Sequence, residues 1–158
     1  MQASIEEETS GSGHQEYLVD VNWVQKMQFV GRDEKNHAIV IDTSSENGGE
    51  SSGPTPTRLL LMAVASCTAM DIVDILTKSR QKLTGLRVLS WGKQNSEYPK
   101  YFKEIHLKYL LRGIGLDKSR VERAIRLSEE KYCSVGATVS GKAKILIKYE
   151  IQEDSKSS

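Results

Sequence analysis

The clearest periodic signal lies near the C-terminus. There Ala143, Ile145, Ile147, Tyr149 and Ile151 fall on one parity, and Lys142, Lys144, Lys148 and Glu150 on the other. A period of two predicts a half-buried strand over Lys142–Gln152. Upstream, Tyr101, Ile105, Leu107, Tyr109 and Leu111 alternate in the same way with Glu104, His106, Lys108 and Arg112. A further strand is expected over Gly85–Ser96, joined to the last by the turn Glu97-Tyr98-Pro99-Lys100. In Tyr17–Val24, Val19, Val21 and Trp23 share one parity, and short apolar runs follow at Met27–Gly31 and Ala38–Asp42. Gln25-Lys26 and Arg32–Asn36 suit hairpin turns, so three antiparallel strands are expected in this stretch.

Between the two strand groups the period changes. Thr55-Pro56 reads as an N-cap and first-turn proline, opening a helix from about Pro56 to Ser79. Its first half, Leu59–Met70, is apolar nearly all round; its second half sets Ile72, Val73, Ile75 and Leu76 against Asp71, Asp74 and Lys78. A helix apolar on every side must be enclosed on every side. One small sheet does not suffice for that, whereas the core of a dimer does. A second helix is expected over Asp117–Cys133, with Ser119 and Glu122 as a capping box and an apolar stripe of Val121, Ala124, Ile125, Leu127 and Tyr132. Ser134–Ser140 reads as a loop, and Thr43–Gly53, rich in Ser, Gly, Asn and Glu, as a mobile one. The order βββ-α-ββ-α-β argues for an α+β fold with mainly antiparallel sheets.

At 158 residues one domain is the default. It is expected over residues 16–153, with a polar disordered tail at 1–15 and a short tail at 154–158. With 22 basic and 21 acidic side chains and a net charge of +1, a strongly basic nucleic-acid binder and a polybasic membrane binder drop out, so neither partner is expected. No run reaches the roughly 18 consecutive apolar residues of a spanning helix. Met1–His14 has neither the basic nor the apolar region of a signal peptide, so a cytoplasmic location is expected.

Candidate chemistry narrows to Cys67 and Cys133, far apart in the chain and in no Cys-x-x-Cys pair. Two cysteines do not make a disulfide-dense scaffold. With three scattered histidines, His14, His37 and His106, they match no zinc-ligand spacing, so no metal is expected. Two readings stand: inert core cysteines, or a working thiol pair. Other features carry less. Trp23, Trp91 and Tyr98 could line an apolar pocket or simply fill strands. Lys142, Lys144 and Lys148 read as a solvated face, and Asp71 and Asp74 as exposed or hydrogen-bonded carboxylates at a dimer seam.

Gly53-Pro54-Thr55-Pro56, Leu59-Leu60-Leu61-Met62-Ala63, Ser66-Cys67-Thr68-Ala69-Met70-Asp71-Ile72-Val73 and Glu130-Lys131-Tyr132-Cys133-Ser134-Val135 together resemble the OsmC/Ohr superfamily, closest to its YhfA-like branch. The resemblance runs from about Tyr17 to Ile151. It implies an intertwined homodimer with a six-stranded antiparallel sheet per subunit and the long helices back to back. It also implies a cysteine-based peroxidase of the oxidative stress response, reducing organic hydroperoxides without a bound cofactor and recharged by an external dithiol. Chemically, a thiolate attacks the peroxide O–O bond to give a sulfenic acid, and a second thiol condenses with it to a disulfide.

Cys133 is expected near a helix C-terminus, where the dipole disfavours a thiolate, and is assigned the resolving role. Cys67 takes the peroxidatic role, in agreement with the resemblance. Apolar surroundings oppose a thiolate and Asp71 stands one turn on, so Cys67 needs a cation or donor from elsewhere. Here the chain departs from the family. Peroxidase members carry an Arg in the loop before the long helix and a Glu near its start. Thr43–Gly53 holds no Arg, and Thr57 and Arg58 stand where the acid is expected. Nine residues of helix put Arg58 roughly 13–14 Å along the axis from Cys67, out of reach within one chain. Arg32 and Lys131 are further candidate cations. Two alternatives therefore accompany the peroxidase reading: a non-catalytic dimer that binds a small apolar molecule, and a redox switch.

Overall fold

The computed structural model describes residues 17–155, which fall into two compact units, the first ending at Thr55 and the second beginning at Pro56. The expected tail over 1–15 lies outside the described residues.

In the first unit, β1 (Val19–Gln25), β2 (Gln28–Asp33) and β3 (Ala38–Ile41) form an antiparallel sheet in chain order, as the short apolar runs predict. Lys26 and Asn36 take the left-handed conformation that close hairpin turns demand. The Asp33 carboxylate ties the second turn by accepting the Lys35 and His37 N–H groups, each at 2.9 Å.

The following segment is not the mobile loop its composition predicts. Asp42 is 1% exposed and accepts four hydrogen bonds: from Ser52 Oγ and Thr43 N–H at 2.7 Å each, and from Ser52 and Glu50 N–H at 3.0 Å each. These donors, the Ser52 hydroxyl foremost, pull its carboxyl down to about 2. Gly49 is needed because a Cβ there would lie 2.2 Å from Thr43 O and 2.5 Å from Asp42 Oδ1. Ser52 and Gly49, which read as flexible, supply two of the donors and the clearance of a cage around one buried carboxylate.

The second unit contains α1 (Pro56–Lys78), β4 (Lys82–Gln94), β5 (Phe102–Ile114), α2 (Lys118–Leu127), α3 (Ser134–Ser140) and β6 (Lys144–Glu153). β4 pairs antiparallel with β5, and β5 pairs parallel with β6. The mainly antiparallel character expected from the strand order holds, but the six-stranded sheet implied by the resemblance is corrected to two sheets of three strands, one containing a parallel pair. The physical reason is the helical crossover between β5 and β6, which returns the chain to the end where β5 began.

α1 lays Val64, Thr68, Ile72 and Leu76, spaced by four, against this sheet, and all four are buried. Ile105, Leu107, Tyr109 and Leu111 of β5 meet them on the parity the sequence assigned, and Val121, Ala124 and Ile125 of α2 close the core. Each large apolar side chain so enclosed is worth about 1.5–3 kcal/mol. The other face of α1 is uncovered within the unit: Met62 and Met70 are 55% and 71% exposed. By length and composition α1 could cross a membrane, but its stripe of fully buried Val64, Ile72 and Leu76 is the packing of a core helix. It ends in a Schellman motif, with Arg80 N–H on Thr77 O and Gln81 N–H on Leu76 O, each at 2.9 Å, and Arg80 left-handed.

The second helix covers the expected span, α-helical from Lys118 to Leu127 and π-helical from Ser128 to Tyr132, but is differently capped. Asp117 caps α2 by accepting Arg120 N–H at 3.1 Å, and Ser119 Oγ donates to the same carboxylate. A charged acceptor at the positive end of the helix outcompetes the serine. Glu122, freed from the expected capping box, instead accepts the Tyr149 hydroxyl. After Leu127 the chain makes one π turn, Ser128–Tyr132, closed by Cys133 N–H on Ser128 O at 2.9 Å. It then enters α3, where a loop was expected.

Candidate active site

Position 67 lies at the edge of the buried stripe of α1, flanked by Val64 and Thr68, so the Cys67 thiol is only half-buried. Asp71 stands one turn further on the same face. Cys133, 4% exposed, enters from the junction between the π turn and α3. The two sulfurs and an Asp71 carboxylate oxygen all lie within 4.8 Å of one another. Both thiols are free. The sequence pair is thus brought together. Cys133 closes the π turn as its C-cap, the helix end expected for it; the same residue is also the N-cap of α3, and its sulfur accepts the Gly136 N–H at 3.1 Å.

That donor favours a thiolate, yet the net effect on Cys133 is the reverse. Burial, then the neighbouring Cys67 thiol, push it up to about 11, and the Gly136 N–H offsets only part of this. The same crowding reaches Tyr109, 1% exposed on β5, whose hydroxyl meets Thr68. Burial raises it to about 12; Thr68 opposes, and the Cys133, Glu129 and Asp71 charges add. The site therefore favours neutral, protonated groups at its floor, and an incoming molecule meets Cys67 before Cys133.

Asp71 is neither exposed nor idle. Its Oδ2 accepts Ser128 Oγ at 2.8 Å, and Ser128 is itself 1% exposed in the π turn. Asp74 by contrast pairs with Lys78 at 2.7 Å on the helix surface. Asp71, Asp74, Ile75, Lys78 and Tyr132 line a cleft of about 210 Å³ beside the thiols. A second, more apolar cleft of about 280 Å³ opens between the start of α1, β5 and α3, lined by Leu60, Tyr101, Phe102, Ile105 and Val139 among others.

The remaining candidates find local uses. Trp23 Nε1 donates to Lys26 O in the first hairpin, and Trp91 stacks on His106 with ring centroids 5.0 Å apart. Tyr98 is 85% exposed with Lys100 over its ring, and Lys131 lies over Tyr132. Sequence reasoning missed Ser128, Gly136 and Tyr109. Only Gly136 left a trace, as a glycine three residues beyond a cysteine.

Comparison with known proteins adds four findings. A family model described as OsmC-like protein matches residues 48–148. The Escherichia coli K12 protein YhfA is 35% identical over 131 residues, covering 83% of this chain and 95% of that protein. Among solved structures, a protein from Aquifex aeolicus VF5 superposes with a TM-score of 0.79 at 28% identity, over 90% of this chain and all of that one. An organic hydroperoxide resistance protein OsmC from Legionella pneumophila superposes at 0.64 with 14% identity, over 88% of this chain and 99% of that one; at that identity it speaks for the fold alone.

Proposed function

The chain belongs to the OsmC-like protein family, and from that premise we propose that it is a thiol peroxidase for organic hydroperoxides, with Cys67 peroxidatic and Cys133 resolving. The observation that carries this reading is the approach of the two sulfurs to within 4.8 Å, with Cys67 the more accessible.

Cys67, as its thiolate, attacks the distal peroxide oxygen. The O–O bond breaks, sulfur is oxidised to sulfenic acid, and an alkoxide leaves to be protonated to the alcohol. The Cys133 thiol then condenses with the sulfenic acid, forming the S–S bond and releasing water. Closing it requires the sulfurs to reach about 2.05 Å. An external dithiol reduces the disulfide by exchange and is itself oxidised. The Asp71 carboxylate is the base nearest to hand for the Cys67 proton. A reducing compartment such as the cytoplasm keeps the pair in the free-thiol state.

The uncovered face of α1, with Met62, Met70 and Val73 exposed, supports a homodimer closed over that helix. Sedimentation equilibrium checks this; a monomer at micromolar concentration refutes it.

The direct test measures dithiol-coupled consumption of cumene and tert-butyl hydroperoxide. Wild type is expected to turn over and Cys67→Ser to fall to background, whereas Cys133→Ser halts after one equivalent as a trappable sulfenic acid. Equal rates for wild type and Cys67→Ser refute the reading. A second reading is favoured by the loop 43–53, which lacks Arg, and by the apolar 280 Å³ cleft: a non-catalytic dimer that binds a small apolar molecule there. It predicts saturable binding of such a molecule with no thiol loss on peroxide addition. A redox switch predicts slow thiol loss together with a large change in oligomeric state.

A further inference from the structure

The convergence that serves redox chemistry also has the composition of a metal site. Cys67 and Asp71 sit at i and i+4 on a rigid helix, so two donors leave one face of α1 together. Cys133 supplies a third from an independent segment, and all three donor atoms lie within 4.8 Å of one another. We propose that the reduced pair and Asp71 bind one borderline-soft divalent cation, zinc, and that the bound ion holds the thiols out of disulfide formation.

Distances support the fit. Zinc takes thiolate sulfur at about 2.3 Å and carboxylate oxygen at about 2.0–2.2 Å, so tetrahedral donors stand roughly 3.5–3.8 Å apart. From a spacing of at most 4.8 Å, the donors contract by about 1.3 Å or less, which side-chain rotation supplies. Two sulfurs select against magnesium and calcium, which take oxygen shells. The outer contacts are of the kind that orient ligands: Ser128 Oγ holds Asp71 Oδ2, and Gly136 N–H holds the Cys133 sulfur. Three protein donors leave the fourth tetrahedral position for water, and the Asp71 cleft gives water a way in.

Binding balances as two thiols plus Zn²⁺ giving a zinc dithiolate plus two protons, with no change in oxidation state. Disulfide formation removes both thiolates, so metal occupancy and oxidation exclude each other. The sequence rules pass over this site because its donors are spaced as i, i+4 plus a distant residue rather than as paired Cys-x-x-Cys knuckles. The blocking half of the proposal rests on the redox reading above; the binding half does not.

The test uses the full-length chain, reduced and metal-free, titrated with Co²⁺ and then Zn²⁺. One Co²⁺ per chain is expected, with a thiolate-to-cobalt charge-transfer band and the intense visible bands of a tetrahedral ion, all displaced by Zn²⁺. Cys67→Ser and Cys133→Ser should each weaken zinc binding more than tenfold against a chromophoric chelator. Asp71→Asn should weaken it about tenfold and Asp71→Glu restore most of it, with circular dichroism confirming that each variant is folded. Absence of the charge-transfer band, or unchanged affinity in folded Cys67→Ser, overturns the site. Saturating Zn²⁺ should slow peroxide-driven thiol loss at least tenfold; an unchanged rate overturns the block. Thiol loss is scored separately on metal-free protein, so a chain that binds zinc but ignores peroxide refutes only the peroxidase reading. A chain that consumes peroxide but binds no cobalt refutes only the metal site.

Discussion

Site-resolved alkylation is the sharpest test of the thiol environment, because burial and the Cys67 thiol raise Cys133 from about 9 to about 11. At pH 8 a thiol titrating at 9 is ~10% thiolate, and one titrating at 11 is ~0.1%. Ionisation alone therefore slows Cys133 about a hundredfold, before any loss of access from its 4% exposure. The assay treats reduced protein with limiting iodoacetamide from pH 7 to 12 and quantifies each cysteine peptide by mass spectrometry. Cys67 is expected to label first at neutral pH. The Cys133 rate should climb tenfold per pH unit and level off near pH 11. In Cys67→Ser the second cause of the upward push is weakened while burial remains, so the plateau should move down but stay above the ordinary value. A wild-type plateau near pH 9, or an upward move in Cys67→Ser, refutes the account. The same shift has a stability sign: a raised acid stabilises the fold fully below pH 9 and loses that contribution as pH rises through 11.

Four further substitutions have outcomes that follow from the surroundings of the residue changed. In Gly136→Ala the new Cβ would stand 3.1 Å from the Cys133 sulfur, so the variant should lose about 1–3 kcal/mol in denaturant melts and form the disulfide several-fold more slowly; wild-type values for both refute the contact. Asp42 lies at about 2, so its contribution is fully present above pH 4 and lost as pH falls towards 2; Asp42→Asn should flatten that acid transition and speed amide exchange over residues 43–52, and unchanged exchange refutes the cage. Ile72→Ala empties a fully buried site between α1 and the sheet and should cost about 2–5 kcal/mol by urea unfolding, whereas Met70→Ala, on the uncovered face, should weaken the proposed dimer in sedimentation equilibrium and leave monomer stability unchanged.

What the sequence made legible was whatever rests on periodicity. The alternation of Ile105, Leu107, Tyr109 and Leu111, and of the odd-numbered residues of β6, is imposed by a half-buried pleat and leaves a pattern anyone can count. The start of α1 at Pro56 was equally plain. What stayed hidden depends on a single donor or a single acceptor. Ser134–Ser140 contains glycine and β-branched residues, weak helix formers, and it is a helix because Cys133 caps it and the core receives it. Asp117 and Ser119 both make good caps, and only the geometry chooses between them. The Ser- and Gly-rich segment around Asp42 has the composition of a disordered loop, because donors and clearance use the same residues as flexibility. At the site, the cysteines were visible as residue types; Ser128 behind Asp71 and Tyr109 beneath Thr68 were not, since nothing local distinguishes them.

The parallel pairing of β5 with β6 has a consequence in time. Cys133 lies within the crossover that must swing back before β6 can dock, so the meeting of the two sulfurs depends on contacts among the most distant in sequence, and such contacts are completed late. A chain leaving the ribosome exposes Cys67 long before its counterpart exists. Through that interval it is a lone nucleophile with no intramolecular route to closure, so an oxidant arriving during synthesis drives Cys67 towards over-oxidation or mixed disulfides. In the proposed cycle, the finished fold supplies the protection that the growing chain lacks.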